Sequence, residues 1–198
     1  PPDRSYLSPR THEVVTAARA LKHKAPGLSG VPICVWKTLL ADTTILQIVT
    51  GFLQDCWTTE RVPEEWLRGY MLVLPKKGDP TLAKNLRLIL VEESMSKIYQ
   101  HILNARLNSY HESLCPEFSN GFRPGRGTSD ANFIFQTVLR KRHEHGQTSW
   151  ILFLDIVKAF DTVDRHWLWK VLQRVGISPK MISVLRTLYK NPTGELTV

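Results

Sequence analysis

The sequence predicts a mixed α/β protein, and three observations carry that prediction. Apolar residues recur at helical spacing through the first third, two apolar runs flank a polar turn in the middle, and a later uninterrupted apolar run ends in an aspartate.

Each element follows from its own signals. From about Thr11 to His23, Val14, Val15, Ala18 and Leu21 mark one helical face, and Ser8 or Thr11 offers a cap. Ala25-Pro26-Gly27-Leu28-Ser29-Gly30 breaks that helix, and Pro32 suits the first turn of the next, through Trp36, Leu39 and Leu40. A third helix carries Ile45, Ile48, Val49, Phe52, Leu53 and Trp57. The character changes at Val62-Pro63. Tyr70-Met71-Leu72-Val73-Leu74 reads as a strand, Lys76-Lys77-Gly78-Asp79-Pro80 as a turn, and Leu86 to Val91 as its antiparallel partner, so a hairpin is expected over about 68–91. Ile98, Ile102, Leu103 and Leu107 predict a helix from about Ser94 to Tyr110, and the Gly/Pro content of 115–128 predicts irregular structure.

Beyond that loop, Thr128 or Ser129 caps a helix through Phe133, Val138 and Leu139, ending near Gly146. Trp150-Ile151-Leu152-Phe153-Leu154 reads as a strand buried on both faces, over about 149–155, delivering Asp155 at its end. Two helices follow, one capped by Asp164 and stopped at Gly176, the other capped by Ser178 with Pro179 just inside. Asn191-Pro192-Thr193-Gly194 is expected to turn, and Leu196-Thr197-Val198 to begin a strand. The chain opens without Met and stops within that strand, so an excised piece of a longer protein is expected.

Composition narrows the function. With 198 residues, 42% hydrophobic and 22% charged, the chain can build a core, and it lacks the bias of a disordered tail. The net charge of +8, with basic sets at Arg19-Lys22-Lys24, Lys76-Lys77, Arg123-Arg126 and Arg140-Lys141-Arg142, points to a polyanionic partner over a membrane surface, because the cations are scattered over loops and several helices. No run approaches the ~20 apolar residues of a membrane span. Cys34, Cys56 and Cys115 are far apart and form no Cys-x-x-Cys pair, which predicts reduced thiols in an intracellular protein. There is no internal repeat, no Ser/His/Asp arrangement and no Walker-type glycine loop. His143-Glu144-His145 is a polar helix end, since adjacent helical residues do not share a face. Trp36, Trp57, Trp66, Trp150, Trp167 and Trp169 sit in apolar patterns and are expected in the core.

The chemistry concentrates on Asp155. A carboxylate at the end of an apolar strand can meet a hard cation, although such residues commonly cap helices or close turns. In Asp155-Ile156-Val157-Lys158-Ala159-Phe160-Asp161 a second carboxylate, a lysine and an aromatic ring crowd one turn.

Phe153-Leu154-Asp155-Ile156-Val157-Lys158-Ala159-Phe160-Asp161-Thr162-Val163, followed by His166, Leu168 and Leu172, resembles motif A of non-LTR retrotransposon reverse transcriptases. Three other segments match in the family's order. Pro63-Glu64-Glu65-Trp66 with Leu74-Pro75-Lys76-Lys77-Gly78-Asp79 and Asn85-Leu86-Arg87 is similar to the fingers hairpin, Ser119 to Thr128 to the Gly-Phe-Arg segment, and Lys24 to Pro32 to the Lys-Ala-Pro-Gly-x-Asp-Gly segment of the N-terminal extension. The resemblance implies a right-hand polymerase fold. Residues 1–61 would be an N-terminal helical extension, 62–147 fingers with the hairpin and a template-contacting loop, and 148–198 the start of an incomplete palm sheet.

It also implies roles. Asp155 would be the first of three carboxylates holding two magnesium ions; the Tyr-x-Asp-Asp motif that supplies the others is expected beyond Val198. Phe160 falls at the steric gate against a ribose 2′-hydroxyl, with Ile156 beside the nucleotide. Lys76 or Lys77, with Arg87, would grip the triphosphate, while Gly121, Phe122, Arg123, Arg126 and Lys24 would face nucleic acid. Asp161 would be structural. Implied partners are an RNA template, a DNA primer and deoxynucleoside triphosphates, without a membrane. The parent would be nuclear, and cytoplasmic as a ribonucleoprotein. The chain alone is expected to be inactive as a polymerase and to self-associate through an exposed palm edge. Two departures stand out: Ser29 replaces an aspartate, and Leu88 replaces Pro or Gly after the arginine, so a less kinked strand is expected. The alternative reading is a domesticated, non-catalytic nucleic-acid-binding module.

Overall fold

A computed structural model describes residues 5–79, 81–82 and 85–196; Pro80 in the expected turn, and Thr197 and Val198 of the expected last strand, lie outside the described residues. Helix α1 (Thr11–Ala20) buries Val14, Ala17 and Ala18. Neither Ser8 nor Thr11 caps it: the N-cap is Arg10, whose N–H donates to the Glu13 carboxylate at 3.0 Å, so the third residue of the helix satisfies the orphan donor. Helix α2 (Ile33–Leu39) begins directly after Pro32, and α3 (Thr43–Thr59) starts on Asp42, whose Oδ1 accepts the Ile45 N–H at 3.0 Å.

The hairpin forms where two apolar runs and the polar turn between them predict it. Strand β1 (Arg68–Pro75) pairs antiparallel with β2 (Leu86–Val91), in register from Tyr70 against Val91 to Pro75 against Leu86. The ladder runs regularly through Leu88, as expected for a residue that does not kink the strand. A third strand, β3 (Thr193–Leu196), lies parallel to the other edge of β1, giving the order β2-β1-β3. Thr193 and Gly194 therefore belong to the sheet, and the expected turn over 191–194 is corrected. A Cβ on Gly194 would come within 2.6 Å of Met71 Cε, so this glycine serves close packing within a strand.

Helix α4 (Ser94–Leu114) buries Ile98, Tyr99, Ile102 and Leu103. Helix α5 (Thr128–Glu144) starts after Gly127, whose N–H donates to Asp130 Oδ2 at 2.7 Å, so Asp130 takes the capping role expected of Thr128 or Ser129. Helix α6 (Arg165–Arg174) is capped by Asp164, whose Oδ1 accepts the His166 N–H at 2.7 Å. Helix α7 (Pro179–Leu188) is capped by Ser178, whose Oγ accepts the Met181 N–H at 3.2 Å. Both caps are the residues expected.

The chain divides into two units, residues 1–107 with 172–198, and residues 108–171. The first holds the core: Val14, Leu53, Trp57, Ile98, Tyr99, Met181 and Val184 are buried, and the Trp66 ring packs 5.7 Å from that of Tyr99. Arg106 pins the N-terminal segment to this core. Its guanidinium makes a two-point contact with Glu13 at 2.8 and 2.9 Å, donates to the carbonyls of Leu7 and Ser8, and lies 5.3 Å from the Trp57 ring. Burial raises the Glu13 carboxyl, but the hydrogen bonds and charge of Arg106 outweigh it and hold the group below its ordinary value.

In the second unit the expected strand over 149–155 is not formed. Residues 149–156 carry no regular structure, and Trp150 and Leu154 are 95% and 83% exposed. A strand exists through its ladder, and among the described residues none pairs with this segment, so apolar content alone does not bury it. The expected burial of the tryptophans is corrected likewise at Trp150 and Trp167, which are exposed, while Trp57 and Trp66 are buried. The three cysteines are free thiols, as expected.

Candidate nucleotide and nucleic-acid site

Asp155 lies on the irregular segment 149–156 and is exposed. The chain then turns through Val157–Thr162, with Lys158 at φ 51° and the Thr162 N–H donating to the Lys158 carbonyl at 3.0 Å. That turn presents Phe160 outward, 79% exposed, with its ring edge-on to Phe122 at 6.1 Å between centroids and 87° between planes. Motif A and the Gly-Phe-Arg loop are thus brought together through two aromatic rings inside one unit.

The Gly-Phe-Arg loop is held by its own arginines. Arg123 is only 7% exposed, and its three nitrogens face inward. Nε lies 3.1 Å from Glu112 Oε1, Nη2 2.5 Å from the same oxygen, and Nη1 donates to the carbonyls of Pro116 and Ser119, each at 3.1 Å. In this structure the Arg123 donors close the loop. The Arg123 hydrogen bond holds the Glu112 carboxyl below its ordinary value. Arg126 donates to the Glu117 carbonyl at 2.8 Å and carboxylate at 2.5 Å, and its side chain remains partly exposed. Phe122 adopts φ 58°, a left-handed conformation that costs an L-residue about 1 kcal/mol and throws its ring outward. A Cβ on Gly121 would meet nothing within 4 Å, so the loop's surface is open there. Buried Asn120 carries an Oδ1 with no hydrogen-bond partner among the described residues.

In the first unit, Lys76 and Lys77 are exposed at the hairpin tip, where the Lys76 N–H donates to the Asn85 carbonyl at 2.6 Å. Arg87 is exposed on β2, opposite Leu74. Lys24 opens a loop seated on Glu93, a residue the sequence reading did not single out. The Ser29 N–H and Oγ donate to the two Glu93 oxygens at 2.7 and 2.5 Å, and a Cβ on Gly27 would fall 2.6 Å from Glu93 Oε1. An aspartate at position 29 would set carboxylate against carboxylate, which gives the Ser29 departure a physical reason. No sequence periodicity marks Glu93, because its partners are 64 residues away.

Among the described residues no three His, Cys, Asp or Glu side chains converge, and a hard divalent ion takes six or more oxygen ligands. Asp155 by itself supplies one carboxylate, short of the oxygen set such an ion takes. The His143-Glu144-His145 end is a solvated helix terminus, with Glu144 reaching Lys141 at 3.4 Å.

Residues 74–197 match the family described as reverse transcriptase (RNA-dependent DNA polymerase). The chain is 30% identical over 182 residues, 89% of its length, to the uncharacterized 149 kDa protein of transposon TX1 of Xenopus laevis, and covers 14% of that protein. It is 29% identical over 175 residues, 87% of its length, to a retrovirus-related Pol polyprotein from the type-1 retrotransposable element R2 of Popillia japonica, covering 23% of it. A retrovirus-related Pol polyprotein from the type-2 retrotransposable element R2DM of Drosophila melanogaster is 28% identical over 117 residues, 59% of this chain and 11% of that protein. The chain thus spans less than a quarter of the curated relatives it matches. On the matched domain and these relatives, the chain belongs to the reverse transcriptase family, in its non-LTR retrotransposon branch.

Proposed function

We propose that the chain is the fingers and first palm segment of a right-hand polymerase that extends a DNA primer on an RNA template with deoxynucleoside triphosphates. In this scheme residues 1–61 form the N-terminal extension, 62–147 the fingers and 148–198 the start of the palm. The observation that carries the reading is the edge-to-face pair of Phe160 and Phe122, which joins the proposed nucleotide gate to the proposed template loop.

Each role rests on the chemistry of its residue. Phe160 is a rigid, exposed ring able to exclude a ribose 2′-hydroxyl, and Ile156 offers apolar contact beside it. The exposed Lys76, Lys77 and Arg87 supply a compact charge and a fork of donors to one triphosphate. Gly121, Phe122, Arg126 and Lys24 face the nucleic acid, while Arg123 positions the loop through Glu112. Asp155 supplies one carboxylate toward a magnesium-dependent nucleotidyl transfer. The two-ion form of that chemistry needs two further carboxylates in working geometry, so these 198 residues are proposed to be inactive alone, self-associating through the unpaired apolar segment at 150–154. The parent is proposed to act in the nucleus and to travel through the cytoplasm as a ribonucleoprotein.

The test is primer extension by the longer parent protein with Phe160→Ala. The reading expects ribonucleotides to be incorporated at rates approaching those of deoxynucleotides. Unchanged sugar selection would remove Phe160 from the gate, and RNA binding without any primer extension would favour the non-catalytic module.

A further inference from the structure

The first unit carries a second cationic feature that none of the matched motifs contains. A groove of about 620 Å³ opens where the end of α3, the entry to β1 and the turn from α7 into β3 meet. Three cations line it: Arg61, Arg68 and Lys190. Arg61 and Lys190 have no side-chain partner among the described residues, and Arg68 makes one loose contact, 3.8 Å from an exposed Glu64.

Local structure explains the convergence. Glu60 closes α3 in a left-handed conformation at φ 54°, and the Arg61 N–H returns to the Cys56 carbonyl at 3.3 Å, so the chain reverses at Arg61. Asn191, at φ 49°, turns the chain after Lys190 into β3, whose Thr193 stands in register with Arg68. Two acids share the lining, Glu60 and Glu64, of which Glu64 makes only the loose contact with Arg68. Glu60 is charge-paired from behind, since Ser183 donates to it and Lys180 Nζ lies 2.9 Å away, and together they hold its carboxyl below the ordinary value. That leaves an excess of positive charge and a set of donors, with the Asn191 amide and Thr193 hydroxyl beside the three cations.

We propose that this groove binds the phosphodiester backbone of a single-stranded RNA, through residues other than those of the proposed nucleotide and template contacts. The chemistry favours that ligand. Two guanidinium forks and an ammonium match successive phosphates, and the groove is open enough for a strand to pass. Its apolar lining is aliphatic, Val62 and Leu67, with no ring on which a base could stack, so binding is independent of base sequence. The inference rests on the reading that the protein handles nucleic acid, and locates one of its contacts.

The experiment measures binding of a fluorescent 20-nucleotide oligouridine to this chain across a salt series, beside the double variant Arg61→Gln with Lys190→Gln. Removing two phosphate contacts lowers the slope of log affinity against log salt by about 1.4, at ~0.7 per contact for a single strand, and weakens binding on the order of tenfold. A second measurement needs no variant: with 4-thiouridine in the same RNA, photo-cross-links fall in 61–68 and 187–193. If the wild type binds with a steep slope, the variant matches it and cross-links fall elsewhere, the groove is overturned and the functional reading survives. No salt-dependent RNA binding by the wild type overturns both. If the variant instead loses binding only to phosphatidylserine vesicles, the groove belongs to lipid headgroups and the proposal fails.

Discussion

The two units use similar residues to opposite effect. In the first, Leu53, Ile98, Leu103 and Met181 are buried, and even a charged residue, Arg106, is enclosed with its carboxylate partner. In the second, α5 and the segment before Asp155 contribute no buried residue, although Phe133, Phe153 and Leu154 are as apolar as anything in the first. Hydrophobicity is a property of the segment, whereas burial is a property of what lies beside it. The proposed nucleotide gate sits in the unit whose apolar residues are uncovered, which suits a site that must meet ligands and says why its side chains lack the packing that fixes those of the first unit.

The same truncation made in both units should separate them most sharply. Leu53→Ala opens a cavity in the core and is expected to cost about 3 kcal/mol, while Leu154→Ala, at an exposed position, should stay within about 0.5 kcal/mol. Thermal or urea unfolding reads both, and equal costs would break the comparison. Next in size is the enclosed pair. Glu13→Gln leaves Arg106 buried without its counter-charge and is expected to cost about 3 kcal/mol. Because the Glu13 carboxyl is held below its ordinary 4.5, the stability it contributes is fully present above that value and is lost as the pH falls through the lowered folded-state value. The gap in melting temperature between wild type and variant should therefore close in acid; a gap unchanged down to about pH 2 would contradict the assignment.

A smaller effect belongs to the cap of α7. Ser178→Ala removes the acceptor for the Met181 N–H and the hydroxyl that reaches the Ser5 carbonyl, for about 1 kcal/mol, whereas Ser129→Ala, which is not the cap of α5, should be near neutral. Paired melts decide that contrast.

How far the sequence carried the fold depended on whether the signal was local. The hairpin at Arg68–Val91 and the caps at Asp164 and Ser178 were legible because turn chemistry, short apolar runs and capping act within a few residues. The apolar run Trp150–Leu154 misled because its pattern is that of a strand, while a ladder depends on a partner that the pattern does not specify. Gly194 misled in the reverse direction, since Asn-Pro-Thr-Gly reads as a turn and only its pairing with Gly69 on β1 makes it a strand residue. At the candidate site, Asp155, Phe160 and Phe122 could be named from motif resemblance, yet their relation needed coordinates. Glu93 under the Lys24–Pro32 loop, Glu112 behind Arg123 and the Arg61–Lys190 groove were invisible, because each depends on residues brought together from separate elements.

The central claim, that Asp155 belongs to a polymerase site and not to the scaffold, is tested most directly by Asp155→Asn in the longer parent protein, scored by RNA-templated primer extension beside RNA binding and melting temperature. Since Asp155 is exposed and no hydrogen bond to its side chain exists among the described residues, the account predicts unchanged melting and binding with primer extension lost by at least about a thousandfold. Extension retained within a few-fold of wild type would contradict it.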